Sequence, residues 1–377
     1  MVRLLLQNAY FLLFVPLVLL IGCREKQDSQ NSGQTANADL LPARQPSYFF
    51  LSGMLGKSTA RLHLVAEGDK DGKMIYNGTL LLSDHPEPIE LYTQGEVNDS
   101  VLVLNFEEGG AECRFTAAIQ SDGTMEGVCN GFRGSSLVFR FQPASPSGGL
   151  AFTSIFADTM LRAKPEKERP MAFFGFHFLD PVSENWLRDS LLREVHGDSL
   201  FRAGGGNTRT VFEKAAGDFF NLYRSEIQKS GFPEESDQDF ESFNQEILHG
   251  VQVMYNENNL LSIGLTEYDY FGGAHGMLFT RFVSFDLKKK QRIRLKDLFK
   301  PDYELVLKSA INSAARARYG VENLADVLLT NEIGLTDNFY TTPDGICFNY
   351  EPYEIAPFVM GEPRFFIPFS QLKDVMK

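Results

Sequence analysis

The stretch that decides the fold runs from Leu260 to Asp286 and reads LLSIGLTEYDYFGGAHGMLFTRFVSFD. Its apolar residues alternate in two runs, which predicts strands at Leu260–Tyr270 and Met277–Asp286. Between them, Gly272–Gly276 predicts a tight connection, because glycine adopts positive φ at little steric cost. The sequence therefore predicts a β-hairpin at the centre of its second half.

Outward from this hairpin the pattern alternates between strands and helices. A strand at Glu246–Tyr255 precedes it, joined through the turn residues Asn256–Asn259. Further strands are predicted at Ala172–Phe178, Phe339–Thr342, Ile346–Tyr350 and Arg364–Ile367. Apolar residues at helical spacing predict three helices. The first follows an N-cap at Ser183 and contains Leu187, Leu191 and Val195. The second contains Phe212, Ala216, Phe219, Tyr223 and Ile227, and the third runs from Asp302 to Tyr319. Helices on one face of an antiparallel sheet make this part α+β.

Residues 47–141 show strand patterns alone. Apolar runs alternate with turn sequences at the spacing of a meander that closes into a small sandwich or barrel. The runs are Arg61–Val65, Met74–Leu82, Ile89–Thr93, Val101–Phe106, Arg114–Ile119, Thr124–Cys129 and Leu137–Phe141. The interior either is filled by leucines such as Leu80 and Leu102 or holds a small ligand. We predict an all-β domain at 47–142, a linker at 143–162 that begins Pro-, Ser- and Gly-rich, and an α+β domain at 163–377.

The first residues carry a secretion pattern. Arg3 is followed by an uncharged apolar run from Ala9 to Leu20, which ends in Leu20-Ile21-Gly22-Cys23. This end resembles the lipobox of bacterial lipoproteins, whose signal is cleaved before a cysteine that is acylated with a fatty acid such as palmitate. The resemblance implies a signal peptide at 1–22, lipidation of Cys23 and a flexible polar tether at 23–46. A transmembrane anchor is the alternative, although a spanning helix needs roughly 20 apolar residues.

Charge and the residue after the cysteine limit location and partners. Arg24 rather than Asp follows Cys23, which by the sorting pattern of enteric bacteria implies an outer-membrane lipoprotein facing the periplasm or the cell surface. The net charge of −13 disfavours nucleic acid and favours basic partners. We therefore expect membrane contact through the lipid anchor and no nucleic-acid partner.

The remaining cysteines suggest one disulfide. Cys113 and Cys129 lie on two predicted strands joined by a turn, and they fall opposite each other if Ile119 pairs with Gly123. An oxidising compartment would allow the bridge. Cys347 is expected to pack in a strand as a small hydrophobe.

Few residues suggest metal or cofactor chemistry. His275 in the glycine-rich turn could serve as a ligand or general base, or could cap local backbone groups. The six histidines form no HxxxH or HxH spacing, and no cysteine pair has zinc spacing. We therefore predict no metal and no cofactor.

Two carboxylates near the C-terminal end are the main catalytic alternative. Glu351 and Glu354 lie in NYEPYEIAPF beside Tyr350 and Tyr353. Paired carboxylates can cleave a glycosidic bond. The prolines in this segment instead predict an extended, turn-rich crossing, whose tyrosines and acidic groups would suit a binding surface.

Several motifs resemble a known family when taken in order. They are Leu261-Ser262-Ile263, Tyr268–Gly276, Phe285-Asp286-Leu287, Leu295–Phe299, Tyr353–Phe358 and Ile367–Leu372. The set resembles the C-terminal domain of the RsiV anti-sigma factors and the accessory region of PdaC-type peptidoglycan deacetylases, a domain family of unknown function with a GGAHG hairpin. The resemblance covers 163–377, with a first part at 163–250 and a C-terminal part at 251–377.

The resemblance implies a fold and a role in the cell envelope. Members of the RsiV branch bind lysozyme, and in the PdaC branch the domain stands beside a catalytic one. This chain shows no cytoplasmic anti-sigma segment and no deacetylase Asp/His pattern. We expect a non-catalytic binding module for a cell-wall component such as peptidoglycan or for a lysozyme-like wall-degrading enzyme. The alternatives are a glycan hydrolase using Glu351 and Glu354, or a purely structural lipoprotein. The candidate binding surface comprises Tyr268, Tyr270, His275, Tyr353 and Glu354.

Overall fold

The computed structural model describes residues 47–68, 73–93, 101–108, 110–164, 170–230 and 241–377. The predicted signal peptide, Cys23 and the tether lie outside the described residues. All the described residues belong to one compact unit. Within these ranges the helices are too short or too polar to span a bilayer.

The N-terminal strands close into an antiparallel barrel. They are β1 (Ser47–Leu55), β2 (Ser58–Gly68), β3 (Met74–Leu82), β4 (His85–Thr93), β5 (Val101–Glu108), β6 (Ala111–Ile119), β7 (Met125–Asn130) and β8 (Ser136–Pro143). Each strand pairs with the next along the chain, and β1 pairs with β8 to close the ring. The predicted all-β domain is confirmed, and β1 precedes the first strand that the pattern had indicated.

The barrel interior is filled by its own side chains. Leu80 and Leu102 are fully buried there, together with aromatic rings such as Phe106, Phe115 and Phe141. The first of the two predicted interiors, the leucine-filled one, is therefore the one that forms.

A six-stranded sheet follows the barrel. Its strands are β9 (Phe152–Arg162), β10 (Met171–Pro181), β11 (Gln245–Glu257), β12 (Leu260–Tyr270), β13 (Met277–Asp286) and β14 (Gln291–Arg292). They lie in the order β14-β13-β12-β11-β10-β9. The β10–β11 pair is parallel and the other pairs are antiparallel, so the sheet is mixed rather than wholly antiparallel. The parallel pair arises because the chain between these two strands crosses over through helices.

The predicted linker at 143–162 is wrong over its second half. Residues 152–162 form β9, which pairs with β10 from Phe152 opposite Pro181 to Arg162 opposite Met171. The Pro- and Gly-rich run before β9 is hydrogen-bonded to the sheet as well, since Asn258 N–H donates to Ser147 O at 2.7 Å. The connection between the two sheets is thus short.

Helices cover one face of this sheet. They are α1 (Asn185–Ala203) and α2 (Thr208–Lys229), while α3 (Leu295–Leu298) and α4 (Glu304–Tyr319) come later in the chain. The Asn207 side chain caps α2 by accepting the Thr210 N–H at 3.0 Å. The predicted N-cap at Ser183 is wrong, because α1 starts at Asn185 and shows no side-chain cap. The apolar sides of α1 and α2 pack on β10, which makes this face the larger core.

The other face carries two structures side by side. Strands β2 and β3 of the barrel pack on β11, and a three-stranded sheet packs on β12 and β13. The small sheet comprises β15 (Phe339–Thr341), β16 (Gly345–Asn349) and β17 (Arg364–Pro368). Charged pairs cross the barrel border: Arg61 Nη1 lies 2.5 Å from Glu257 Oε2, and Arg364 pairs with Glu90. The barrel is therefore docked on the α+β part.

The cysteine pair does not have the predicted register. Ile119 pairs with Met125, so Cys129 stands opposite Phe115 rather than opposite Cys113. Both side chains are buried. The predicted register is therefore wrong by two residues, because the turn between β6 and β7 holds two more residues than predicted, and the disulfide itself stays a prediction. Cys347 is buried in β16, as expected of a small hydrophobe.

Candidate functional site

The glycine-rich turn between β12 and β13 has two kinds of glycine. Gly272 and Gly273 adopt φ of 84° and 100°, as predicted for a tight connection. Gly276 is needed for space, since a Cβ there would lie 2.3 Å from the Tyr268 hydroxyl oxygen. The turn also fixes Tyr270, whose hydroxyl donates to Gly273 O at 3.1 Å. The loop is thus held in one shape with His275 exposed at its end.

Two of the predicted surface residues meet through a third ring. His275 stacks on Phe358 with ring centroids 3.8 Å apart, and Tyr353 stacks on the same Phe358 at 5.8 Å. We call His275, Phe358 and Tyr353 the aromatic stack. Phe358 stands in the motif Tyr353–Phe358, but sequence reasoning did not single it out, because nothing local shows which ring the turn will touch.

Tyr353 adopts an unusual backbone conformation. Its φ is 68°, in the left-handed region that bulky residues rarely occupy, and its side chain is 53% exposed. Strain of this kind persists where a particular side chain is needed. An exposed ring contributes little to folding, so the conformation points to a role on the surface.

The predicted carboxylate pair does not form a cleft. Glu351 and Glu354 are both exposed, and Glu354 Oε2 accepts the Glu351 N–H at 2.9 Å. Neighbouring Tyr350 is buried instead, and its hydroxyl donates to Gly334 O at 2.6 Å. Glu354 thus closes its own turn and gives the aromatic stack an acidic border.

Tyr268 is not a member of the aromatic stack and lines a cavity of about 200 Å³. The cavity lies where the parallel register of β10 and β11 ends, at Phe176 opposite His249. It is lined by Glu67, Gly68, Ile75, Phe156, Phe173, Gly175, Phe176, His177, Leu248, His249, Gly250, Thr266, Tyr268 and Leu278. Barrel and sheet residues both contribute, so the cavity exists only because the two are docked.

A chain of hydrogen bonds crosses this border. Ser154 Oγ lies 2.5 Å from His177 Nε2, and His177 Nδ1 lies 2.8 Å from Glu67 Oε2. The Asn77 amide donates to the other Glu67 oxygen at 3.1 Å. Hydroxyl, imidazole and carboxylate follow the order of a nucleophilic triad. Ser154 does not line the cavity, so the chain serves to fix the His177 ring and the Glu67 carboxylate.

The histidines beneath the cavity are held neutral. Burial lowers the pKa of His249 to about 3, with a further contribution from His196, whose ring lies 5.1 Å away. Burial lowers the pKa of His196 to about 4. Burial also raises the pKa of the Glu267 carboxyl, and the nearby Asp269 charge raises it further. Near neutral pH both imidazoles are therefore uncharged.

The described part of the chain shows no cluster of three or more His, Cys, Asp or Glu that could hold a metal ion.

Family comparisons divide the second half of the chain into two matches. Residues 183–278 match the family described as Deacetylase PdaC, and residues 296–370 match the family described as Protein of unknown function (DUF3298). Residues 183–278 are therefore similar to the PdaC family and residues 296–370 to the DUF3298 family, which confirms the resemblance of the motifs. The aromatic stack joins the two matches, because His275 lies in the first and Phe358 in the second.

Individual relatives are distant. Peptidoglycan-N-acetylmuramic acid deacetylase PdaC of Bacillus subtilis (strain 168) is 25% identical over 146 residues, which are 37% of this chain and 31% of that protein, so the chain spans about a third of that relative. A DUF3298 family member from Bacteroides fragilis has a TM-score of 0.54 at 24% identity, covering 62% of this chain and 96% of that one. A DUF3298 family protein from Pseudomonas aeruginosa has a TM-score of 0.45 at 19% identity, covering 60% and 94%. The Bacteroides likeness supports the fold alone.

Proposed function

We propose that this protein is a lipid-anchored lipoprotein of the cell envelope that binds the glycan of the cell wall without cleaving it. The anchor is Cys23, and the protein faces the periplasm or the cell surface from the outer membrane. The PdaC relative is named for an activity on peptidoglycan, which supports a wall ligand. The observation that carries the proposal is the aromatic stack, with Tyr353 exposed in a strained conformation.

The chemistry of the aromatic stack suits a sugar. The faces of aromatic rings carry partial negative charge, and the C–H groups of a sugar ring pack against them. His275 and Tyr353 both stack on Phe358, so the three rings are contiguous. Rigid aromatic anchors commonly dominate binding energy. Glu354 is engaged in its own turn, and we therefore assign it no catalytic role.

Sedimentation with insoluble peptidoglycan tests this proposal. Tyr353→Ala and Phe358→Ala should weaken binding by about tenfold or more, because an anchor is removed. Tyr92→Ala is the matched control, since Tyr92 is 44% exposed on the barrel. Retention that is equal in all variants, or absent in the unmodified protein, would contradict a glycan-binding stack.

A second candidate partner is a cationic wall-degrading enzyme of the lysozyme type. The exposed Glu351 and Glu354 beside the aromatic stack favour a basic protein surface. Lysozyme should then be retained on immobilised protein, and the Glu351→Gln/Glu354→Gln double variant should lose most of that retention at low salt. Salt-independent retention would argue against this partner.

The anchor is tested separately. Cys23→Ala should shift the protein from the membrane fraction to the soluble fraction, and mass spectrometry of the unmodified protein should show acyl chains on Cys23. An unprocessed terminus with an unmodified thiol would contradict the anchor while leaving the binding surface untouched.

A further inference from the structure

The cavity between barrel and sheet is bordered by glycine at several positions. Three glycines from three strands line it: Gly68 on β2, Gly175 on β10 and Gly250 on β11. None of them has positive φ, so the backbone does not demand glycine at these positions. Glycine within a strand is unfavourable and often marks a place where a ligand or another backbone comes close.

The missing side chains keep polar groups accessible. A Cβ at Gly250 would lie 2.6 Å from Thr266 Oγ1 and 3.2 Å from Glu67 Oε2. A Cβ at Gly68 would lie 3.4 Å from the ring of Phe156. Any larger residue at Gly250 would therefore cover the Glu67 carboxylate.

The lining indicates the charge of a ligand. None of the described residues that line the cavity is Lys or Arg, and Glu67 supplies a carboxylate. Among the described residues, the Asn77 amide donates to Glu67 Oε1, and His177 Nδ1 lies 2.8 Å from Glu67 Oε2. An ionised carboxylate accepts up to about four hydrogen bonds, so lone pairs remain for a ligand donor.

The walls indicate the rest of the ligand. Phe156, Phe173 and Tyr268 present aromatic surface, which attracts cations as well as apolar groups. The volume of about 200 Å³ exceeds the roughly 150 Å³ of a cavity that holds benzene. A compact ring or short chain carrying one positive charge fits this space.

We propose that the cavity binds a small protonated amine, with Glu67 as its charge partner and the aromatic rings as its walls. Ser154 and His177 are positioning residues that hold the carboxylate in place. An anion would be repelled by Glu67. The site is separate from the aromatic stack and does not depend on the proposed glycan binding.

Calorimetric titration with isosteric probes tests the site. Benzylamine should bind the full chain, and benzyl alcohol, which has nearly the same shape without the charge, should bind at least tenfold more weakly. Glu67→Gln should abolish that preference, and Gly250→Ala should abolish binding of both probes. Glu126→Gln and Gly217→Ala are the controls, because Glu126 is a half-buried barrel carboxylate that pairs with Arg140, and a Cβ at Gly217 meets nothing within 4 Å.

The outcomes separate clearly. Equal binding of amine and alcohol, no binding at millimolar concentration, or an amine preference that survives in Glu67→Gln would overturn the proposal. Should Gly250→Ala fail to fold by circular dichroism, Glu67→Gln alone decides. Glucosamine and Nα-acetyllysine amide then distinguish two sources of the amine, a sugar and a peptide side chain, and binding of either supports the site.

Discussion

The barrel interior and the cavity at its border are both enclosed by β-strands, yet the first is filled and the second is open. Leucines and phenylalanines occupy the barrel axis, where small barrels of other proteins can hold a ligand. The space lies instead at the seam with the sheet, where Gly68, Gly175 and Gly250 replace larger residues. Side-chain size, rather than barrel topology, decides where this molecule has room.

The largest expected effect tests the filled side of this comparison. Leu102→Ala should lower the free energy of unfolding by about 2–5 kcal/mol, because it removes buried contacts and leaves a cavity in a packed interior. Urea unfolding measures the change. Leu305→Ala is the control, since Leu305 is 80% exposed and should change stability by less than about 0.5 kcal/mol. A small change in the free energy of unfolding for Leu102→Ala would mean that the barrel interior is not tightly packed.

Acid should act on the core between the sheet and α1, where His196 and His249 lie against Phe176, rather than on the barrel axis. The pKa of His249 falls to about 3 and that of His196 to about 4 on folding, from about 6.5 in the unfolded chain. Stability is therefore fully present above pH 6.5 and declines as the pH falls, by at most about 1.4 kcal/mol per pH unit for each ring.

Unfolding curves between pH 7 and pH 4 measure this slope. His249→Phe, which keeps an aromatic ring in place, should flatten it, and His275→Phe at the exposed loop should not. An unchanged slope in His249→Phe would show that other groups carry the acid sensitivity.

A smaller effect probes the hydrogen-bonded chain at the seam. Ser154→Ala removes the hydroxyl that contacts His177 and should lower the free energy of unfolding by about 0.5–1.5 kcal/mol. Ser136→Ala, which loses an exposed contact with Asn130, should cost less. Equal losses in the two variants would mean that the hydrogen bond at the seam contributes no more to the free energy of unfolding than an exposed one.

An effect on stability of similar size is expected at the aromatic stack. Because Tyr353 has φ of 68°, Tyr353→Gly should be more stable than Tyr353→Ala by about 1 kcal/mol. Thermal unfolding compares the two, and both should lose the same glycan binding. If Tyr353→Gly is no more stable than Tyr353→Ala, the backbone at Tyr353 is not strained.

The sequence predicted the hairpins well because their turn residues favour one backbone conformation, with positive φ. Asn258 and Asn259 both adopt positive φ in a two-residue turn, and β12 and β13 have the predicted bounds. The cysteine register failed because counting turn residues leaves an error of two. Hairpin position is local information, whereas the exact pairing depends on how the whole barrel closes.

The seam could not be predicted, because its members are scattered along the chain. Glu67 and His177 are 110 positions apart, and Ser154 falls in a stretch that was expected to be a linker. His249 was visible as one of six histidines, but spacing rules search for partners nearby in sequence. Glycines in predicted strands were the one available signal, and Gly68, Gly175 and Gly250 line the cavity.

The pairing of Arg364 with Glu90 joins positions 274 residues apart. Glu90, on the barrel strand β4, can therefore pair with Arg364 only after nearly all of the chain has been synthesised. Bringing such distant positions together costs entropy before the contact forms, so docking of the barrel on the α+β region should be a slow step of folding.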